Sequence, residues 1–182
     1  MRYLKYLAVA VALVLISQTA CFAGNDNNLS SLVDSGKTIK VFLKSFVNES
    51  GQSQISADDF KKAVETAIKN RRAVKFEIVE SPEASDVQIS GAIKNYLYSK
   101  TDPINSYAAT ATLVLDAVTN ENYAEMTVDF TVTGTKKGDL LWSKEIKGYV
   151  EHTMTPEQSL PMVYDKVSRD FLWRSFGKPS RN

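Results

Sequence analysis

The chain has 182 residues, 43% of them hydrophobic and 24% charged, which is ordinary usage for one folded domain and argues against a fibre or a wholly disordered chain. Its 22 basic and 21 acidic residues leave a formal net charge of +1, which excludes a nucleic-acid binder relying on bulk positive charge. One cysteine and one histidine exclude an internal disulfide framework and a zinc site of the usual kind, and leave little vocabulary for metal or nucleophilic catalysis.

Residues 1–23 read as a secretory signal peptide. Arg2 and Lys5 supply the positive start, Leu7 to Ile16 an unbroken apolar run, and Ser17, Gln18 and Thr19 a polar end before small residues. The apolar run is far shorter than the ~20 residues that span a bilayer. Two cuts stay open. Cleavage after Ala23 places Cys21 at −3; cleavage after Ala20 makes Cys21 the lipidated first residue of a lipoprotein, with Gln18 where an apolar residue is expected. Lipidation would make the protein membrane-associated. Losing the segment also removes Arg2 and Lys5, so the net charge turns from +1 to −1.

Gly24 to Lys37 is polar, without periodicity, and is expected as a flexible linker before a single domain over 38–176. Thr38 to Phe46 alternates as a strand, with Ile39, Val41 and Leu43 on one face and Phe42 on the other. Ser56 is a good N-cap, Asp58 and Asp59 suit the first turn, and Phe60, Val64, Ala67 and Ile68 form one stripe, so 57–70 is a helix. Val74, Phe76 and Ile78 alternate as a second strand. Val87, Ile89, Gly91 and Ile93 begin a third, running to about Tyr98. Residues 107–118 alternate too, with Ala109, Ala111, Leu113, Leu115 and Ala117 on one face, although their alanines leave a short buried helix as the rival. Ala124 to Val132 is the cleanest strand, and Gly134 to Asp139 turns it into Leu140 to Val150. The three last segments predict an antiparallel meander.

Thr155-Pro156-Glu157-Gln158 is a capping-box pattern that opens a final helix. Pro161 then falls inside it, so Ser159 is the alternative cap. Leu160, Val163, Val167, Phe171 and Leu172 make the buried stripe, Trp142 and Trp173 are expected in or near the core, and 177–182 is a tail. The fold class is α+β: a two-layer sandwich with a mixed or antiparallel sheet of about five to six strands and two main helices on one face.

Two surfaces stand out as candidate sites. Lys61, Lys62, Lys69, Arg71, Arg72 and Lys75 gather around the first helix; they suit a solvated face or a patch for phosphates and acidic head groups. The Thr-rich sheet face opposite the helices carries Thr110, Thr112, Thr127, Asp129 and Thr131, which suit plain solvation or partner docking. Tyr96, Tyr98, Tyr107 and Tyr123 lie near the ends of neighbouring strands. Glu151 and His152 are adjacent in a strand and point to opposite faces, so they make no shared acid-base site. No catalytic or metal-binding residue and no cofactor is expected, and the chain reads as no enzyme.

Three motifs carry a resemblance: Phe46-Val47-Asn48-Glu49-Ser50 before a helix, Asp86 through Gly91 after Ala84-Ser85, and Gly138 through Trp142 in a hairpin. Together with the final helix they are similar to LptE-like lipopolysaccharide-assembly lipoproteins. The opening motif is also shared with curli-secretion proteins, LpoB-like activators and TolB N-terminal domains. The resemblance implies a non-enzymatic protein of the periplasm or the inner leaflet of the outer membrane, with an outer-membrane β-barrel protein and lipopolysaccharide as partners. The alternative is a periplasmic regulatory or interaction module, activating a peptidoglycan enzyme or joining a secretion assembly.

Overall fold

The structure, a computed structural model, describes residues 27–99, 122–152 and 155–177. In chain order these form α1 (Asn27–Asp34), β1 (Ile39–Asn48), α2 (Ala57–Asn70), β2 (Phe76–Ile78), a 3-10 turn (Pro82–Ala84), β3 (Val87–Ser99), β4 (Asn122–Gly134), β5 (Leu140–His152) and α3 (Pro156–Ser175). The five strands make one mixed sheet in the order β2-β1-β3-β4-β5. β1 runs parallel to β2 and β3, and β3, β4 and β5 are mutually antiparallel. Helices α2 and α3 pack against one face. The expected α+β class, the sheet and the two covering helices are all present.

Period-two patterning sets the sheet. On β4, Ala124, Met126, Val128, Phe130 and Val132 are fully buried, while Thr127, Asp129 and Thr131 on the other face are half-exposed. The register shifts at three places, the third in the β4–β5 pair between Val132 and Thr133, and two of the shifts move large side chains to the helical side. One lies between Leu43 and Phe46 and turns Phe46 to the helical side opposite Gly91; the other, between Ile93 and Asn95, does the same for Tyr96.

Helix α2 begins where its cap requires: Asp59 N–H donates to Ser56 Oγ at 3.1 Å. Helix α3 begins at Thr155, which forms the reciprocal capping box with Gln158. Ser159 is not the cap. It is buried in the first turn, donates to Pro156 C=O at 2.6 Å and meets the Tyr96 hydroxyl. Pro161 is tolerated within the helix because it lies on the solvent side.

Between the layers runs a continuous line of aromatic rings. Phe171 of α3 stacks on Phe130 of β4 with centroids 4.1 Å apart, and Trp142 lies 5.5 Å from Phe171. Phe60 of α2 approaches Phe130 at 5.9 Å, Phe46 at 5.8 Å and Tyr164 at 5.3 Å. At the other end Phe176 joins Phe171 to Phe76. Such pairs contribute roughly 0.5–1.5 kcal/mol each beyond the area they bury. The Tyr164 hydroxyl also accepts from Ser56 N–H at 3.2 Å, tying α3 to the cap of α2. Burial raises the Tyr96 and Tyr164 hydroxyls above the usual tyrosine range.

Three expectations need correction. Within the stretch expected as a linker, α1 forms because Leu29, Leu32 and Val33 recur at helical spacing; Leu29 is fully buried. The antiparallel meander of the described residues is β3-β4-β5, with β3 and β5 on the two edges of β4. Residues 107–118 themselves lie outside the described residues. The strand expected over 74–78 is only Phe76–Ile78. Trp142 is buried, but Trp173 is 47% exposed, out of helical phase with the buried stripe of Phe171, Leu172 and Ser175.

Helix α3 lies close to the sheet because small residues stand where it crosses. Ser159, Ser168 and Ser175 are buried, and each returns its hydroxyl to a carbonyl of its own helix. On β5, a Cβ added to Gly148 would lie 2.6 Å from Val167 Cγ2 and 3.3 Å from the Val167 backbone. Gly148→Ala is therefore expected to cost about 1–3 kcal/mol in equilibrium unfolding, as overpacking does. Gly134→Ala would meet only the flexible Leu141 side chain at 3.6 Å and should change stability by less than about 0.5 kcal/mol.

Candidate functional site

The candidate interface residues Thr127, Asp129 and Thr131 lie together on the sheet face opposite the helices, as their alternation requires. Thr110 and Thr112 lie outside the described residues, as do Cys21 and Tyr107. Strand register builds this face row by row. Val47, Ala92, Asp129 and Glu145 are neighbours across four strands; Leu97, Glu125 and Tyr149 form a second row nearer one end.

Its polar groups are mostly tied to one another. Lys94 bonds Glu49 and lies 3.6 Å from Asp129, and the Glu49 contact raises the Lys94 ammonium above the usual lysine range. Lys147 pairs with Glu125 at 2.7 Å, and the Tyr123 hydroxyl donates to the same carboxylate. Thr131 and Ser143 hydroxyls meet at 3.3 Å. The Tyr123 ring is buried and stacks on Tyr149 at 5.9 Å.

Beside these charged groups the face also leaves large apolar side chains in water. Among the described residues, four large hydrophobics are exposed, and three stand here: Val47 at 45%, Leu97 at 44% and Tyr149 at 49%. The sequence reading did not single them out. Strand parity flags Tyr149, which is out of phase with the buried Ile146 and Gly148. The bulge hides Leu97.

The six basic residues do not form one surface. Lys62 pairs with Asp59 at 2.9 Å and Lys69 with Glu65 at 2.6 Å, both on the solvated side of α2. The hydrogen bond from Lys62 holds the Asp59 carboxyl below its usual range. Lys61 is half-buried and Lys75 exposed. The two arginines part from the lysines: Arg71 turns toward the end of α3 and donates to the Gly177 carbonyl, with Arg72 exposed beside it. Among the described residues no cluster of His, Cys, Asp or Glu is placed to hold a metal, and no helix is long and apolar enough to cross a membrane.

The motif residues hold the frame. Asn48 Nδ2 donates to Gln52 C=O at 2.8 Å and Ile55 C=O at 3.0 Å, while its Oδ1 accepts from Ser50 N–H and Oγ. Phe46 enters the aromatic line, and its ring lies where a Cβ on Gly91 would be 3.0 Å away. Asp86 accepts from Lys40 N–H at 2.9 Å. Gly138, at φ +68°, makes the hairpin turn that brings Trp142 into the core.

The sequence matches no family model and no curated protein. Solved structures share the fold. The hypothetical protein CT253 from Chlamydia trachomatis is 9% identical with a TM-score of 0.52, over 80% of this chain and 99% of that one. The PelC dodecamer from Paraburkholderia phytofirmans is 13% identical with a TM-score of 0.50, over 78% and 89%. Bacterial lipoproteins stand among the looser neighbours, such as lipoprotein GNA1162 from Neisseria meningitidis, 11% identical with a TM-score of 0.40 over 74% and 98%. At these identities the likeness is one of fold.

Asn48→Ala should cost about 1–3 kcal/mol in chemical denaturation, because it strands carbonyls and a hydroxyl that the side chain satisfies. Lys94→Ala, which breaks only surface pairs, should change stability by less than about 1 kcal/mol.

Proposed function

We propose that this is an exported, non-enzymatic interaction module of the bacterial cell envelope, and that the open sheet face docks a partner protein. The observation that carries the reading is the placement of Val47, Leu97 and Tyr149 on one face, beside Thr127, Asp129 and Thr131. Apolar groups set among threonines and paired charges on one sheet face form a mixed surface of the kind a partner protein can cover. The signal peptide read in residues 1–23 supports the compartment.

The finer form of the reading follows the motif resemblance: the partner is an outer-membrane β-barrel protein and the task is lipopolysaccharide assembly. A second reading is self-assembly, favoured by the fold shared with PelC, whose structure is a dodecamer.

Pull-down from outer membranes, beside light scattering of the purified protein, tests these readings. The native protein should recover a large β-barrel protein. Leu97→Glu and Tyr149→Glu should abolish capture while the domain stays folded, at a cost of about 0.5–2 kcal/mol from the facing Glu125 carboxylate and, for Tyr149, the lost Tyr123 stacking. Recovery of only soluble periplasmic proteins would contradict the barrel partner, and a large ring dispersed by Tyr149→Glu would replace it with self-assembly. Undiminished capture and unchanged mass in both variants would sink the docking face.

A further inference from the structure

A second surface lies on the helical side of the molecule, where the end of α2 meets α3. There a cavity of about 370 Å³ is lined by Ala67, Arg71, Arg72, Arg169, Leu172 and Trp173. Its charge is not balanced. Asp165, also at the rim, is 2.6 Å from Arg169 and is taken by that pair. Neither Arg71 nor Arg72 has an ion-pair partner among the described residues. Arg71 is half-buried and donates one N–H to the Gly177 carbonyl, burial pushes its guanidinium below the usual arginine range, and Arg72 beside it is exposed. A cation withdrawn from water without a counter-ion is costly, and the natural remedy is an anion supplied from outside.

The geometry points to a site for the phosphate head group of an anionic lipid, with the Arg71 and Arg72 guanidiniums on the phosphate and the Trp173 ring at the lipid boundary. Guanidinium forks suit phosphate oxygens better than ammonium groups do. Trp173 is the fourth exposed large hydrophobic, 47% exposed and far from the open sheet face, and an indole with one wet side is suited to a membrane interface. Leu172 and Ala67 supply an apolar wall beside the charges. The inference is independent of partner docking on the sheet face: one surface meets protein, the other lipid.

The indole itself reports the site, because the only other tryptophan, Trp142, is buried in the core. The exported protein carrying Cys21→Ser, so that no lipid anchor confuses the reading, is titrated with phosphatidylglycerol vesicles, phosphatidylcholine vesicles and inorganic phosphate. Phosphatidylglycerol should shift the tryptophan emission to the blue and bromine-labelled chains should quench it; phosphatidylcholine should leave it unchanged. Arg72→Glu should weaken binding at least tenfold, and Trp173→Phe should remove the emission change, both with an unchanged melting temperature. Equal binding to both vesicles, full binding by Arg72→Glu, or a response to inorganic phosphate alone would overturn the lipid site.

Discussion

The stacking of Phe171 on Phe130 is the contact on which the rest of the architecture hangs. It joins the middle of α3 to the centre of β4, and from it the aromatic line extends to α2 through Phe60 and to β2 through Phe176. That approach is achieved only because Gly148 gives room to Val167 and three buried serines carry no bulk. In the core this arrangement leaves Trp142 Nε1 without an acceptor among the described residues. The burial of the large indole outweighs that loss.

Because both main helices sit on one side, the molecule has two unlike exteriors. The sheet side offers paired charges, threonines and three exposed hydrophobics on a rigid five-stranded platform. The helical side offers Arg71 and Arg72, without counter-ions among the described residues, and an exposed indole. Side chains on strands and helices hold their positions more precisely than those on loops, so each surface is pre-organised for whatever it meets. The same division explains why the sequence motifs resemble envelope proteins without naming a ligand. Phe46, Asn48, Asp86, Gly91, Gly138 and Trp142 all serve turns, bulges and packing, so they report the scaffold.

Local chemistry was readable in the chain. Ser56 and the Asp58-Asp59 pair locate α2 to the residue, the Gly134–Asp139 turn is where the hairpin closes, and the alternation of β4 tells its wet face from its dry one. What depended on distant partners was not. The bulges that admit Phe46 and Tyr96 to the core arise from pairing between β1, β3 and β4, so strict alternation misplaces Leu97. Trp173 reads as core because it follows Phe171 and Leu172, yet the next buried position of the stripe is Ser175 and Trp173 is left outside. The lysine pairs with Asp59 and Glu65 were legible at helical spacing. The groove uniting Arg71 and Arg72 with Arg169 joins positions nearly a hundred residues apart, and no local pattern announces it.

The central claim is that the aromatic line between α3 and the sheet holds the whole domain as one unit. Equilibrium unfolding of Phe171→Ala in a Trp173→Phe background, followed by both far-ultraviolet circular dichroism and Trp142 fluorescence, is the direct test. One shared transition is expected, destabilised by about 3–5 kcal/mol. A loss below about 1 kcal/mol, or a helix signal that melts separately while Trp142 stays native, would contradict it.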